Sequence, residues 1–235
     1  MWNIFRTKTP FREGLFRGFT DRHTHLLAGV DDGISTLEES LTALSVYEQL
    51  GAKCVWCTPH IMEEQPTETA SLRAKFDELK AAYRGSIDLQ LAAEYMIDGG
   101  LAERLHTNDL LTFDDKRLLV ETSYLAAPTN FLDTLAQVNS LGFTPILAHP
   151  ERYDYLDFDG LAELKKNFNL EFQLNIGSLL GHYGNRAKLK ATKLLRSGLY
   201  DFAATDLHSA QTFNHLANKS ITTDIYRQLA QIIHR

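Results

Sequence analysis

Cysteine is scarce in this sequence of 235 residues, which contains only two. Cys54 and Cys57 form a Cys-x-x-Cys pair, and two thiolates are too few for a zinc site built from four cysteines. A redox Cys-x-x-Cys normally lies at a helix N-terminus, where the helix dipole lowers the thiol pKa. This pair lies within residues 53–58, whose pattern is typical of a buried strand, so packing in the core is the favoured interpretation.

Long apolar runs are missing as well. No segment approaches the length of a membrane-spanning helix, and the N-terminus lacks the continuous apolar stretch of a signal peptide. The sequence therefore predicts a cytoplasmic protein without stable membrane insertion. Its hydrophobic content of 44% is enough to bury a large core. We expect an N-terminal arm at residues 1–18 and a single domain at residues 19–235.

An excess of positive charge is also absent. The formal net charge is −6, so no global basic field is available to hold nucleic acid through its phosphates. A nuclease-like proofreading domain is disfavoured for the same reason. The glycine motifs that bind nucleotide phosphates, Gly-x-x-x-x-Gly-Lys and Gly-x-Gly-x-x-Gly, do not occur either. Nucleotide-driven chemistry therefore has no support in the sequence.

Short apolar segments alternate along the chain with segments of helical periodicity. Strands are predicted at residues 19–23, 53–58, 87–93, 117–120, 144–148, 170–174 and 200–204. Helices are predicted at residues 35–51, 68–83, 130–141, 161–168, 186–197 and 224–233. Strands separated by helices of this length favour parallel pairing through right-handed crossovers. We therefore expect an α/β fold in which seven strands close a barrel or nearly do so.

Two of the predicted helices carry more detailed expectations. Ser35 and Glu38 fit a capping box at the start of the first helix, which Gly51 would end. In the helix at 130–141, four apolar residues are spaced to share one face: Leu132, Leu135, Val138 and Leu141.

Two histidines leave the end of the first predicted strand. His23 and His25 are two residues apart, and side chains at this spacing point the same way on an extended backbone. Taken alone, a His-x-His pair is more often solvent-facing than metal-binding. Here Asp31 and Asp32 follow within one loop, and a mixture of imidazole and carboxylate suits a divalent ion such as Mn, Fe or Zn.

Ionisable side chains follow almost every predicted strand. The carboxyl ends of all strands in an α/β barrel meet on one face, where the active sites of such barrels lie. Only the strand at 170–174 delivers no His, Asp or Glu there. The number of candidates exceeds what one ion needs and predicts two or three metal ions with shared carboxylates. The nine candidates are His23, His25, Asp32, His60, Glu94, Glu121, His149, Asp206 and His208.

The motifs that contain these residues resemble a known family. They are His-Thr-His with Asp-Asp-Gly, Thr-Pro-His, Ala-Glu-Tyr, Val-Glu-Thr-Ser, Ala-His-Pro-Glu-Arg-Tyr and Thr-Asp-Leu-His. Together, over about residues 19–216, they resemble the PHP (polymerase and histidinol phosphatase) superfamily and, within it, the bacterial capsule-type tyrosine phosphatases. The resemblance implies a distorted seven-stranded TIM-like barrel and a manganese-dependent enzyme that acts on tyrosine kinases of exopolysaccharide synthesis.

The resemblance also divides the candidates among metals. It implies a first metal held by His23, His25, Glu94 and Asp206, and a second held by Glu94, Glu121 and His149. A third would be held by Asp32, His60 and His208, and Arg152 would contact the phosphate. The expected catalytic residues are therefore Arg152, His149 and Asp206.

Arg152 and two tyrosines are the expected contacts of the substrate. The planar guanidinium of Arg152 matches phosphate oxygens, and its alternative role is a rim salt bridge with Glu151 or Asp154. Tyr95 and Tyr124 each follow a candidate ligand and are expected to form walls of the pocket, with core packing as the alternative.

The sequence is compatible with one favoured function and two alternatives. Cysteine-based phosphatase chemistry is excluded, since the residues six positions after the two cysteines are His60 and Glu63 rather than arginine. The favoured function is hydrolysis of phosphotyrosine in a protein by a metal-activated water. The alternatives are a small-molecule phosphatase of the histidinol-phosphate type and a non-catalytic metal-binding docking domain, against which the complete ligand set argues.

Overall fold

The computed structural model describes residues 6–64 and 67–235. The strands are β1 (Thr7–Lys8), β2 (Thr20–Thr24), β3 (Cys54–Cys57), β4 (His60–Ile61), β5 (Asp88–Leu91), β6 (Glu94–Met96), β7 (Arg117–Glu121), β8 (Thr144–Ala148), β9 (Glu171–Asn175), β10 (Phe202–Ala204) and β11 (Ile221–Thr222). The helices are α1 (Leu37–Leu50), α2 (Thr69–Ala82), α3 (Gly99–Thr107), α4 (Phe131–Ser140), α5 (Phe158–Asn167), α6 (Ile176–Leu179), α7 (Gly184–Arg196), α8 (Ala210–Leu216) and α9 (Thr223–Ile232). No helix in these two ranges is both long and apolar enough to cross a membrane.

Parallel strands follow one another around the barrel in chain order. β2, β3 and β5 form one sheet, and a second sheet has the order β10-β9-β8-β7-β6-β4. The barrel closes where the end of β2 meets the segment after β10: Asp206 N donates to His23 O at 2.9 Å, and His25 N donates to Leu207 O at 2.8 Å. Each of the seven predicted strands corresponds to an observed one, so the predicted α/β barrel is confirmed.

The barrel is distorted because two neighbouring strands are each interrupted at the same height. β3 stops at Cys57 and β4 resumes at His60, while β5 stops at Leu91 and β6 resumes at Glu94. Pro59, which lies in the first interruption, has no N–H to donate, but its carbonyl accepts from Glu94 N at 3.0 Å. The interruption therefore places His60 and Glu94 beside each other on the paired segments β4 and β6.

Successive residues of the strands alternate between two apolar layers, as the twofold period of a strand requires. A small cluster contains Leu119 of β7, together with Ile146 and Ala148 of β8. Their neighbours Val120 and Leu147 belong instead to the larger cluster that also contains the buried helix residues. Both cysteines are buried and free, and burial raises the pKa of each thiol to about 12, which supports the packing interpretation.

The helices differ from the predictions at several ends. The cap of α1 is shifted by one residue: Thr36 accepts from Glu39 N, and Glu39 accepts from Ser35 N, so the capping box predicted at Ser35 and Glu38 is wrong. Leu132 of α4 and Leu141, which follows the helix, are exposed, and Phe131 and Thr134 complete the buried face instead. Gly51 ends α1 in the left-handed conformation, as predicted.

Some helices were not predicted, and their sequences show why. α3 begins with two glycines, which disfavour a helix, but Asp98 caps it by accepting from Leu101 N, and Leu101 and Leu105 are buried. α8 is short and starts at the capping residue Ser209. α6 is a single turn after β9.

The segment that precedes β2 packs against the barrel. Phe11, Leu15 and Phe16 are buried in the larger apolar cluster, and β1 pairs antiparallel with β11 near the C-terminus. The part of the expected arm at residues 1–5 lies outside the described residues. A boundary at residue 18 stays a prediction.

Candidate metal centre

Glu94, the first residue of β6, lies at the centre of the carboxyl face of the barrel. Its Oε2 is 3.0 Å from His23 Nε2, 3.4 Å from His25 Nε2 and 3.2 Å from His60 Nδ1. Its Oε1 is 3.2 Å from His149 Nε2. Four imidazoles from three chain segments, the end of β2, the start of β4 and the residue after β8, therefore surround a single buried carboxylate.

A first group of potential ligands joins the first strand to the last. Asp206 Oδ1 is 3.4 Å from His23 Nε2 and 3.3 Å from His25 Nε2, and with Glu94 these side chains are all buried. Their ligand atoms lie close enough together to hold one metal ion. This is the group that the family resemblance implies for a first metal.

A second group lies on the other side of Glu94. Glu121 Oε1 is 2.9 Å from His60 Nδ1, and Glu121 Oε2 is 3.9 Å from His149 Nε2. The ligand atoms that could share one ion here belong to His60, Glu94 and Glu121. The structure thus places His60 closer to this group than His149, which is the histidine that the resemblance implies here.

A third group lies at the solvent side. Asp32 Oδ1 is 3.4 Å from both His60 Nε2 and His208 Nε2, and the Asp32 side chain is 73% exposed. His25 completes this group. All nine candidate residues are therefore brought into one connected cluster, although the assignment of each to a particular ion stays a proposal.

The charges of the buried group favour a cation at its centre. Burial alone would lower the pKa of His23, but Glu94 and Asp206 outweigh burial and raise this pKa to about 9. Burial would likewise raise the pKa of Glu94, but His23 and His60 hold it well below its ordinary value. Within the described chain, neither oxygen of Glu94 receives a well-oriented hydrogen bond. A carboxylate with two free lone-pair sites, ringed by imidazole nitrogens, fits divalent metal ions.

Two of the candidate ligands have an unfavourable backbone conformation. His149 has a φ of 32° and Asp206 a φ of 54°, and neither is glycine. Left-handed backbone at a non-glycine residue costs free energy and tends to persist where the surroundings require it, often at functional sites. His149 follows β8 directly, and Asp206 follows β10 after one intervening residue.

Three of the imidazoles are oriented by contacts to the ring nitrogen Nδ1. The groups that make these contacts were not predicted as such from the sequence. His23 Nδ1 is 3.0 Å from Gln173 Oε1, and His25 Nδ1 is 2.7 Å from Asp31 Oδ2. His208 Nδ1 is 3.0 Å from the Asp206 carbonyl. Such partners fix the ring and the tautomer, which leaves the other nitrogen to face a metal. Asp31 was visible as half of the Asp-Asp pair, but Gln173 had no signal in the sequence.

Arg152 lies beside this cluster, in a helical turn that follows β8. Its Nη1 donates to Asp206 Oδ2 at 2.9 Å, and its guanidinium carbon is 4.3 Å from the ring centre of Tyr124. The alternative salt bridges on the rim are wrong, because Glu151 is buried against Tyr200 and Asp154 pairs with Arg186. Arg152 thus lies at the candidate centre.

A cavity of about 310 Å³ opens over the cluster. Its lining includes Asp32, His208, Arg152 and Tyr124. Tyr95 was expected to form a wall of the pocket. Its side chain is instead fully buried in the core, and its hydroxyl accepts from Leu111 N at 2.7 Å. Tyr95 therefore packs in the core and is not a wall of this cavity.

The fold and the site together define a metal-binding α/β-barrel protein with its ligands at the carboxyl ends of the strands. The chain belongs to the capsular polysaccharide synthesis family CpsB/CapC, whose model matches residues 19–225. This confirms the family resemblance seen in the motifs.

Several named proteins and solved structures are similar to this chain, among them the following. A putative tyrosine-protein phosphatase CapC of Staphylococcus aureus is 28% identical over 80% of this chain and 76% of its own length. The tyrosine-protein phosphatase YwqE of Bacillus subtilis is 26% identical over 83% of this chain and 79% of its own. One set of crystal structures is described as YwqE from Bacillus subtilis and CpsB from Streptococcus pneumoniae, unique metal-dependent tyrosine phosphatases. A chain from this set superposes on the present chain with a TM-score of 0.75 at 24% identity, and the match covers 92% of this chain and 94% of that chain.

Proposed function

We propose that this protein is a metal-dependent tyrosine-protein phosphatase that hydrolyses phosphotyrosine with a metal-activated water. The observation that carries the proposal is the buried Glu94 carboxylate, surrounded by four imidazoles and lying in the same centre as Arg152. Membership of the CpsB/CapC family and relatives named tyrosine-protein phosphatases support the same activity.

Divalent ions are the cofactor in this proposal. Eight of the nine clustered side chains form three overlapping groups of potential ligands, two of which share Glu94, and His149 Nε2 lies 3.2 Å from Glu94 Oε1. Together these side chains would hold two or three ions. The mixture of imidazole and carboxylate ligands suits manganese first, with iron or zinc as the other choices. When bound, such ions lower the pKa of a coordinated water and polarise phosphoryl oxygens.

The protein's own residues supply the binding of the phosphate. Arg152 keeps its Nη1 on Asp206, so the rest of the guanidinium edge is available to phosphate oxygens in the cavity. Charge that spreads over these oxygens in the transition state is stabilised by a fixed cation. His149 and Asp206 act as ligands and hold the reacting centre, while Tyr124 contacts the substrate from the cavity wall. A tyrosyl leaving group, with a pKa of about 10, needs less protonation than a serine alkoxide would.

The proposed substrate is a phosphotyrosine protein. Because the family is named for capsular polysaccharide synthesis, we propose a bacterial tyrosine kinase of capsule or exopolysaccharide synthesis as the partner. A cytoplasmic location is part of this proposal.

Hydrolysis of a phosphotyrosyl peptide by metal-stripped protein, with and without added manganese, tests the function. We expect manganese-dependent turnover that falls at least about a hundredfold in His149→Ala and Arg152→Ala. The matched controls are His106→Ala, on the exposed side of α3, and Arg196→Ala, whose guanidinium pairs with Asp224 at the surface. Turnover of small phosphate monoesters alone would favour the small-molecule phosphatase, and metal binding without turnover of any phosphoester would favour the docking domain.

A further inference from the structure

The guanidinium of Arg152 is flanked by two tyrosine rings. Its central carbon is 4.3 Å from the ring centre of Tyr124 and 4.1 Å from that of Tyr183. An aromatic ring at this distance attracts the charge of a guanidinium that lies over its face. Tyr183 lies at the start of α7, far along the chain from Tyr124, which follows β7.

Tyr183 is itself fixed by the network around Asp206. Asn175 Nδ2 donates to the Tyr183 hydroxyl at 3.3 Å and to Asp206 Oδ2 at 2.9 Å. The same Asp206 oxygen receives Arg152 Nη1. Asp206, Arg152, Tyr183 and Asn175 therefore form a closed ring of contacts, in which the arginine is held by a hydrogen bond to Asp206 and by contact with the Tyr183 ring.

This enclosure limits how Arg152 can act. An arginine side chain that is free to rotate must lose conformational freedom before it can make two parallel hydrogen bonds to an anion. The N–H groups of a guanidinium donate in its plane, so contacts that restrict rotation of this plane fix the direction of a paired bond to phosphate oxygens.

We propose that Tyr183 is a positioning residue that fixes the plane of the Arg152 guanidinium, so that the edge not bonded to Asp206 meets a tetrahedral oxyanion in one orientation. The inference rests on the proposed phosphatase function and adds to it a residue that acts through the arginine. The aromatic ring is the part of Tyr183 that matters, and its hydroxyl only holds that ring in place.

Binding of inorganic phosphate to the manganese-loaded protein tests the proposal. We expect Tyr183→Leu to raise the dissociation constant of phosphate and the KM for an aryl phosphate about tenfold, with kcat lowered less than threefold. Tyr183→Phe keeps the ring, so its phosphate dissociation constant and its KM should each stay within twofold of the wild-type values. Tyr226→Leu is the matched control. The Tyr226 ring is on α9, and its cation is the Lys8 ammonium, which lies 5.9 Å from the ring centre.

A double-mutant cycle separates positioning from a general loss of structure. A lysine ammonium is a point charge without a plane to be fixed, so Tyr183→Leu should change phosphate affinity less than twofold when it is made in an Arg152→Lys background. An equal loss in both backgrounds, an equal loss in Tyr183→Phe, or loss of bound manganese in Tyr183→Leu would overturn the proposal. If the wild type binds phosphate but does not hydrolyse phosphotyrosine, the proposed function fails while the phosphate measurements still report on Tyr183.

Discussion

Asp21 and Thr205 join the first strand of the barrel to the segment that follows the last. Asp21 Oδ1 accepts from Thr205 N at 3.1 Å, and Asp21 Oδ2 accepts from the Thr205 hydroxyl at 2.6 Å. The Tyr47 hydroxyl of α1 donates to the same carboxylate at 2.6 Å. The carboxylate thus closes the barrel at the level of His23 and Asp206, the candidate ligands that come from those two chain segments.

Replacing Asp21 with alanine should therefore destabilise the fold and not merely weaken the site. The change would leave several buried donors without an acceptor, so we expect the free energy of unfolding to fall by about 2–4 kcal/mol. Urea unfolding of the metal-free protein measures this loss. Asp77→Ala, on the exposed face of α2, is the control and should change it by less than about 0.5 kcal/mol. A loss in Asp21→Ala as small as in the control would contradict the role assigned to Asp21.

Asp31 is expected to control metal affinity without being a ligand. It holds His25 Nδ1 at 2.7 Å and also accepts from the backbone N–H of His60 at 3.0 Å. Since partners behind a metal-bound histidine typically affect affinity by about 10- to 100-fold, Asp31→Ala should weaken manganese binding by that factor. Competition with a chelator measures the affinity, and Glu38→Ala on the exposed side of α1 serves as the comparison. Unchanged manganese affinity in Asp31→Ala would show that His25 needs no such partner.

Metal binding should depend on pH in a defined direction. Glu94 and Asp206 raise the pKa of His23 to about 9 against the effect of burial, so this imidazole carries a proton in the metal-free protein at pH 7. A metal ion must displace that proton, and affinity should rise with pH up to about 9 by roughly tenfold per unit for one proton. Calorimetry in two buffers of different ionisation enthalpy counts the protons released. Binding at pH 7.5 with no proton release would contradict this protonation state.

A protein substrate should contact the exposed loop that follows β7. Leu125 is 78% exposed next to Tyr124, and residues 122–132 contain no charged side chain. If the substrate is a phosphotyrosine protein, Leu125→Asp should lower kcat/KM for a peptide with apolar residues beside the phosphotyrosine about tenfold, since it replaces an apolar contact by a charge. The effect on p-nitrophenyl phosphate should be less than twofold.

The comparison of two exposed leucines makes this prediction specific. Leu189→Asp changes another exposed leucine, on α7, and should affect hydrolysis of neither substrate. A Leu125→Asp variant that treats peptide and p-nitrophenyl phosphate alike would instead favour a small-molecule phosphatase.

The strands and the ligand set were predictable because both depend on local pattern. Apolar segments of strand length alternate with helical periodicity, and most of the ligands lie at the end of a predicted strand or shortly after it, as Glu94 and His149 do. Where local propensity misled, tertiary packing had the larger effect. α3 forms in spite of Gly99 and Gly100 because Asp98 caps it and its leucines are buried.

The sequence by itself therefore determined the barrel and the residues that could bind metal, since strand period and residue chemistry are properties of the chain. Only the tertiary structure decided which atoms face each other: Arg152 on Asp206, Tyr183 on Arg152, Gln173 behind His23, and Tyr95 inside the core. These contacts join residues far apart in the chain. They depend on how the strands align when the barrel closes and on which side-chain rotamers fit the closed core, and neither is encoded in a local pattern.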